Sequence, residues 1–409
     1  MPIGYSDVMH ARASARTLLL LYAARAARGF GDGFAIIILP AYLSAIGATT
    51  SQIGFVAAAS LFGTALATLG VGFVAPRHDL HNLLLAGAGL VACTGIAFSN
   101  VESFAVILIV AFIGTINPST GDLGVLVPLE HAMLAREAPD DKRTHVFARY
   151  SLIGALSMAA GALAAALPDF AGALGIGKIA AFKMMFYLYA VLGVVSLVLY
   201  WLLPHAVMKQ EAPSAPLGPS RGIVYKLAAL FSIDAFAGGF VVQSLLALWL
   251  FERFDLSLSA ASVFFFWATV LSAFSYPIAA WLAARIGLVN TMVFTHIPSS
   301  IFLILAALSP DLWLALVLLL LRAALSQMDV PTRTSYVMAV VTPSERPAAA
   351  GVTAVPRSLA SSLSPAISGT LMATSFLGLP LILCGVLKIG YDVALLISFR
   401  HLKPPEERK

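Results

Sequence analysis

Long apolar runs separated by short polar breaks fill this chain almost from end to end. A helix that crosses the hydrocarbon layer needs about 20 mostly apolar residues. Twelve stretches qualify: 17–44, 51–75, 82–99, 104–134, 145–167, 178–203, 223–250, 257–283, 288–308, 312–341, 348–376 and 379–400. Little chain remains for a soluble domain. The one clear linker, 204–222, lies near the midpoint and is rich in Pro and Ser, a composition that cannot span lipid. The pattern therefore predicts an all-α membrane protein: a six-helix bundle over 1–203, an exposed cytoplasmic strap over 204–222, and a second six-helix bundle over 223–409.

The two sides of the strap echo one another at an offset of 206–208 residues. Gly29-Phe30-Gly31-Asp32-Gly33-Phe34 answers Ala235-Phe236-Ala237-Gly238-Gly239-Phe240, and Ala75-Pro76-Arg77 answers Ala283-Ala284-Arg285. Gly121-Asp122 answers Met328-Asp329, Phe147-Ala148-Arg149 answers Val355-Pro356-Arg357, and Gly161 answers Gly369. Five matches near one register indicate a duplication.

Composition agrees with the pattern. Of 409 residues 60% are hydrophobic and 11% charged, against about 25% charged in soluble chains. The formal charge of +5 describes topology rather than a nucleic-acid footprint. With the N-terminus inside, fifteen Lys and Arg fall on inner segments, among them Arg12, Arg77, Lys142, Arg285 and Arg346, against Lys178 and Arg253 outside. That bias places both termini in the cytoplasm. Trp201, Trp249, Trp281 and Trp313 fall at expected helix ends, as interfacial anchors do. Cys93 and Cys384 lie in separate helices and make no CxxC motif. Arg25, Arg28 and Asp32 interrupt the first apolar run, so it reads as a retained helix and not as a signal peptide.

Six plus six helices, a central strap and both ends inside resemble the major facilitator superfamily, whose transporters consist of two repeated six-helix halves around a midplane site. Where that family reads G-x-x-x-D-R-x-G between helices two and three, this chain has Gly72-Phe73-Val74-Ala75-Pro76-Arg77-His78-Asp79, with Pro in place of Asp. The fifth helix has the glycines Gly154 and Gly161 but lacks the Gly-Pro pair of drug/proton antiporters. The resemblance extends to the superfamily and not to that subfamily. It implies a secondary transporter in a bacterial inner membrane, acting as a monomer amid lipid on a small-molecule substrate, with helices 1, 4, 7 and 10 lining the cavity.

A charge at mid-membrane costs about 2.5–3.5 kcal/mol on insertion scales, so each needs a reason. The first helix carries Arg25, Arg28 and Asp32 within about 60° of one face, and the tenth carries Arg322, Asp329 and Arg333 within about 40°. Helix seven adds Asp234, with no basic residue within one turn. The expected substrate site is Arg25, Arg28, Asp32, Asn117, Asp234, Arg322 and Arg333, with proton coupling through Asp32 or Asp234. The alternative role for Arg28–Asp32 and Asp329–Arg333 is mutual neutralisation as i,i+4 pairs. Asp122, Arg149, Asp329 and Arg357 are expected to form a cytoplasmic gate of crossed pairs. Lys388 and Asp392 read as a satisfied i,i+4 pair, Glu130 as an interfacial, solvated acid, and His296 as a packed or hydrogen-bonded histidine. Breakers at Asn117-Pro118-Ser119-Thr120-Gly121 and Asp329-Val330-Pro331-Thr332 mark either a binding region or a kink.

No metal-ligand spacing, phosphate-binding loop or cofactor motif is present in the sequence. A membrane enzyme is disfavoured, since neither a nucleophile with its base nor paired metal ligands stand out. Proton-coupled efflux of a small organic compound is the first expectation, transport of a carboxylate- or phosphate-bearing anion bound by the arginines the second, and a sensor or scaffold on a transporter fold the third.

Overall fold

The structure is a computed structural model and describes residues 5–74, 78–119, 124–137, 143–204 and 217–402. The first half holds α1 (Tyr5–Ala45), α2 (Thr50–Val74), α3 (Leu80–Asn100), α4 (Phe104–Ile113), α5 (Leu126–Glu137), α6 (Arg143–Ala164), α7 (Leu167–Ala173) and α8 (Lys178–Trp201). The second holds α9 (Arg221–Gly239), α10 (Gln243–Phe254), α11 (Leu258–Ile286), α12 (Leu288–Leu308), α13 (Leu312–Ser326), α14 (Asp329–Val340), α15 (Arg346–Met372) and α16 (Leu379–Phe399). Ten helical stretches are long and apolar enough to cross a membrane. The other two expected runs are the interrupted pair α4 and α5, and α15, which is continuous but rich in Ser and Ala.

Three of the expected runs are broken, and each break has a local cause. Between α4 and α5, Pro118 lacks the N–H that a continuous helix needs, and Gly124 adopts φ 149°. Pro331, in the first turn of α14, likewise cannot bond back to Gln327, where α13 ends. The α9–α10 break follows Gly238-Gly239. There the Phe236 and Phe240 carbonyls accept from Ser364 Oγ at 2.6 Å and Ser368 Oγ at 2.7 Å. Hydroxyls from α15 thus meet the requirement that backbone groups at membrane depth be satisfied by protein.

Small residues set the packing, because apolar side chains gain little by leaving lipid and close backbone approach has to supply the attraction. In the first half α1 runs against α6: a side chain on Gly33 would collide with the backbone of Met158, and one on Gly161 with the backbone of Phe30. The other close pairs are α3 with α8, α9 with α15 and α12 with α16.

The halves meet through α2 against α15, α6 against α11 and α1 against α10. Gly54 and Gly369 let α2 and α15 touch backbone to backbone. Asp169 of α7 reaches across to the first turn of α11, where its Oδ2 accepts from Ser259 N at 2.9 Å and Ser259 Oγ at 2.7 Å. Both contacts lie towards the end of the molecule that the basic-residue bias assigns to the outside.

Two sequence expectations change here. Trp201, Trp281 and Trp313 are exposed, as interfacial rings are, but Trp249 is fully buried. It lies in α10 within an unbroken buried run, 244–250, because this half-helix is wedged between the two halves and not set at a lipid boundary. Of the strap expected over 204–222, residues 205–216 lie outside the described residues. Its far end is tied down by Glu345, whose carboxylate accepts from the Gly218 N–H and from Thr342 Oγ1 at 2.6 Å. Hydrogen bonds from Ser220, Thr342 and Gly218 hold the Glu345 pKa down to about 2.

Asp169→Ala should loosen the outer seal. A carboxylate at a helix N-terminus stabilises by up to about 1 kcal/mol, so the open-to-closed ratio at that end should rise about fivefold. The check is the rate at which a membrane-impermeant thiol reagent, added from that side, labels Gly238→Cys in a background lacking Cys93 and Cys384. An unchanged rate would mean that this contact does not hold the seal.

Candidate functional site

A cavity of about 330 Å³ lies between the halves. The first half contributes Arg25, Ser119, Ser151 and Gly154 to its wall, and the second contributes most of the charge: Asp234, His296, Arg322, Asp329, Arg333, Arg357 and Lys388. The four helical runs expected to line it do so, but α2, α6, α11, α12, α15 and α16 join them.

Charge on the cavity wall is already sorted into pairs. Asp234, buried on α9, accepts from Lys388 Nζ at 2.6 Å and from Arg333 at 3.2 Å. Arg333 also reaches Asp329 one turn away at 2.8 Å, so the expected i,i+4 pair forms and extends to a third group. Phe231 lies under the guanidinium, 5.5 Å from its centre. Asp234 looks isolated in sequence because both of its cations come from other helices.

Lys388 and Asp392 do not pair, contrary to expectation. Lys388 points at Asp234 and also lies 3.1 Å from His296 Nε2, while the other ring nitrogen, Nδ1, meets Asp392 Oδ1 at 3.0 Å. The imidazole stands between the two residues that sequence spacing joined. Packing of α12 against α16 brings it there, an inter-helix contact that helical periodicity cannot show.

Two cations on the wall have no such partner. Arg322, on α13, and Arg357, on α15, make no ion pair among the described residues, although both line the cavity. The Arg357 Nε is buried without a hydrogen bond. Arg25 faces the cavity from α1 with its guanidinium 5.1 Å from the centre of the Tyr150 ring, over Gly154, where any side chain would collide with it.

Arg28 and Asp32 are elsewhere. Arg28 pairs with Glu130, not with Asp32, and Glu130 is fully buried instead of solvated. That carboxylate also accepts from Tyr150 at 2.5 Å and Tyr200 at 2.7 Å, which fastens α5 to α1, α6 and α8. Asp32 accepts from the Tyr189 hydroxyl at 3.3 Å in a separate recess of about 40 Å³, walled also by Arg28, Thr64 and Thr115. The three charges of α1 share a face by angle, but they are spread along its length and meet different neighbours. Asn117 is buried behind the cavity wall and accepts from Ser119 N at 2.9 Å, so it shapes the α4–α5 break.

Of the four expected gate residues, Asp122 lies outside the described residues. Arg149 is exposed and makes no ion pair among them, Asp329 is held by Arg333, and Arg357 lines the cavity. His296 and Lys388 are the site residues that sequence reasoning left out. An intramembrane lysine was the available signal, but a plausible partner four residues away concealed it.

The comparisons with known proteins agree with this architecture. The profile of the Major Facilitator Superfamily matches residues 21–249 and 227–409. The uncharacterized membrane protein YJR124C of Saccharomyces cerevisiae is 25% identical over 426 residues, covering 95% of each chain. Among solved structures, the nucleoside transporter NupG superposes with TM-score 0.71 at 18% identity, covering 94% of this chain and 98% of that one. The xylose transporter XylE from E. coli superposes with TM-score 0.71 at 14% identity, covering 95% of this chain and 99% of that one. A bacterial homolog of the human lysosomal transporter Spinster, inward-facing and occupied, gives 0.71 at 16% identity, with 94% and 95% covered. At these identities the solved structures establish the fold alone. The profile, which spans both halves, establishes the family: this chain belongs to the Major Facilitator Superfamily and is a multi-pass membrane transporter.

Proposed function

We propose that this transporter carries a small organic anion through the central cavity by alternating access of two six-helix halves, with twelve crossings and both termini cytoplasmic. The observation that carries the reading is the state of the cavity charges. Asp234 and Asp329, the carboxylates on the wall, are both taken by Lys388 and Arg333, whereas Arg322 and Arg357 are not neutralised by any described residue. A guanidinium at membrane depth without a counter-ion is unfavourable. A carboxylate- or phosphate-bearing solute supplies that counter-ion and forms charge-assisted, often bidentate, hydrogen bonds with it. Among the described residues, a cationic solute meets Arg322, Arg333, Arg357 and Lys388 on the wall of the second half against Asp234 and Asp329. The geometry therefore favours the anionic reading over efflux of an unspecified organic compound. The many cavity hydroxyls, Ser299, Ser326 and Ser361 among them, suit polar substituents on such an anion.

The half-to-half contacts Gly54–Gly369 and Asp169–Ser259 close the outer end, while Arg149 and Asp329 stand apart. In this reading the structure is the inward-facing member of the cycle. Arg149 and Asp329, with Asp122 and Arg357, come together when the inner end shuts.

Arg322→Gln should weaken anion binding about 10- to 100-fold, the equivalent of one lost charge-assisted hydrogen bond of about 1.5–3 kcal/mol, and Arg322→Lys should restore part of it. The measurement is a thermal-shift panel of anionic and cationic compounds on purified protein, followed by uptake of each hit into vesicles under an imposed pH gradient. Stabilisation by cations but not by anions would refute the anionic reading.

Paired cysteines, Arg149→Cys with Asp329→Cys, should cross-link only in the state closed towards the cytoplasm. Cross-linking at the same rate in every access state would show static packing and remove the gate.

A further inference from the structure

We infer that His296 and Asp392 form the proton site of this transporter, and that Lys388 links that proton to the anion in the central cavity. The part concerning Lys388 rests on the anionic reading above; the proton site does not.

The hydrogen-bond directions around His296 define its protonation state. Lys388 Nζ is held 2.6 Å from Asp234 and is an ammonium, which can only donate. At 3.1 Å, His296 Nε2 must then be the acceptor. A neutral imidazole has one N–H, so the proton sits on Nδ1 and is donated to Asp392 Oδ1, 3.0 Å away. In this form Asp234 and Asp329 are bonded to the cations Lys388 and Arg333, whereas Asp392 meets only the neutral imidazole. Its negative charge is buried without a bonded cation. Asp392 Oδ2 has no hydrogen-bond partner, and Asp392 is 0% exposed.

One added proton neutralises Asp392 and reverses the ring. Arriving from the cavity, which His296 and Lys388 both line, it bonds to Nε2. The Nδ1–H bond breaks, and that proton moves to Asp392 Oδ1 as an O–H bond forms. The imidazole is again neutral, but Nε2 has become a donor and Nδ1 an acceptor. Lys388 loses its second acceptor and keeps only Asp234, so its ammonium is freed towards the cavity and an anion there. Proton and anion thus favour each other's binding, the requirement for carrying them together.

The groups around the ring are consistent with this role. Asp234 approaches from α9, with its carboxylate 3.8 Å from Nε2, and α14 contributes Arg333 and Asp329 behind it. From α16, Tyr391 meets the ring edge-on at 6.2 Å beside Lys388 and Asp392, and its hydroxyl has no hydrogen-bond partner. Arg322 on α13, Arg357 on α15 and Tyr276 on α11 complete the described surroundings from the cavity side. Asp234 lies between two cations and is the poorer proton acceptor, while Asp392 has the imidazole alone.

The test is a titration of the purified full-length protein labelled with ¹⁵N-histidine, with the His296 signal among the eight histidines identified by His296→Gln. As pH is lowered across the range in which the protein stays folded, the His296 tautomer should change from Nδ1–H to Nε2–H. Infrared spectra should show one protonated carboxyl group appearing in step, and Asp392→Asn should abolish both signals. A tautomer that stays constant across the range in the wild type, or a carboxyl signal that survives in Asp392→Asn, would overturn the proton site. The second arm measures binding of citrate, benzoate and inorganic phosphate as probes. The best binder should tighten by up to about tenfold per pH unit in the wild type and show a flat profile in Asp392→Asn. A flat wild-type profile would overturn the role of Lys388, and failure of all three probes would count against the anionic reading while leaving the titration result to stand alone.

Discussion

Charge buried at membrane depth must find a counter-charge, and this constraint shapes both halves of the molecule. The first half satisfies it with Glu130, which is fully enclosed and saturated by Arg28, Tyr150 and Tyr200. The second satisfies it with Asp234, which is pinned by Lys388 and Arg333. Four helices meet at each of these carboxylates or at its immediate neighbours, so losing Glu130 would strip Arg28 of its counter-ion and losing Asp234 would strip Lys388 of its own. Removing one partner of a buried pair generally costs more than the pair contributes, because the remaining charge stays desolvated.

The halves use that constraint for different ends. In the first, the saturated cluster lies behind the cavity and works as a bolt between helices. In the second, the cluster forms the cavity wall itself, with His296 and Lys388 facing the space where a solute would bind. The two halves share scaffold features: Gly33 and Gly239 both admit a neighbouring helix. The second half contributes most of the cavity charge, and the first half contributes Arg25. A cavity with most of its charge on one wall can hold a solute by its ionic group while the opposite wall rocks past it.

The breaks in the helices serve the same design. Interruptions after Ile113, Gly239 and Ser326 bring irregular backbone to mid-membrane, where it borders the cavity or is satisfied by α15 hydroxyls. Across the halves, Ser244 N donates to the Pro118 carbonyl at 3.0 Å, joining two of the three breaks directly. Backbone of this kind is tolerated only where protein or cavity water replaces lipid.

The sequence by itself determined the apolar spans and most of the charges buried among them. Transfer of a helix into lipid depends on the summed hydropathy of consecutive residues, which is a local quantity. It also determined one pair, Asp329–Arg333, because a spacing of four residues along one helix is likewise local. Only the tertiary structure decided the remaining partners: Arg28 with Glu130, Asp234 with Lys388, and His296 between Lys388 and Asp392. Those choices depend on which helix faces rotate towards each other and at what height, and glycines and serines at helix crossings set that. For the same reason angular position alone grouped Arg28 and Asp32 with the cavity, when the close approach of α8 encloses Asp32 in a recess of its own.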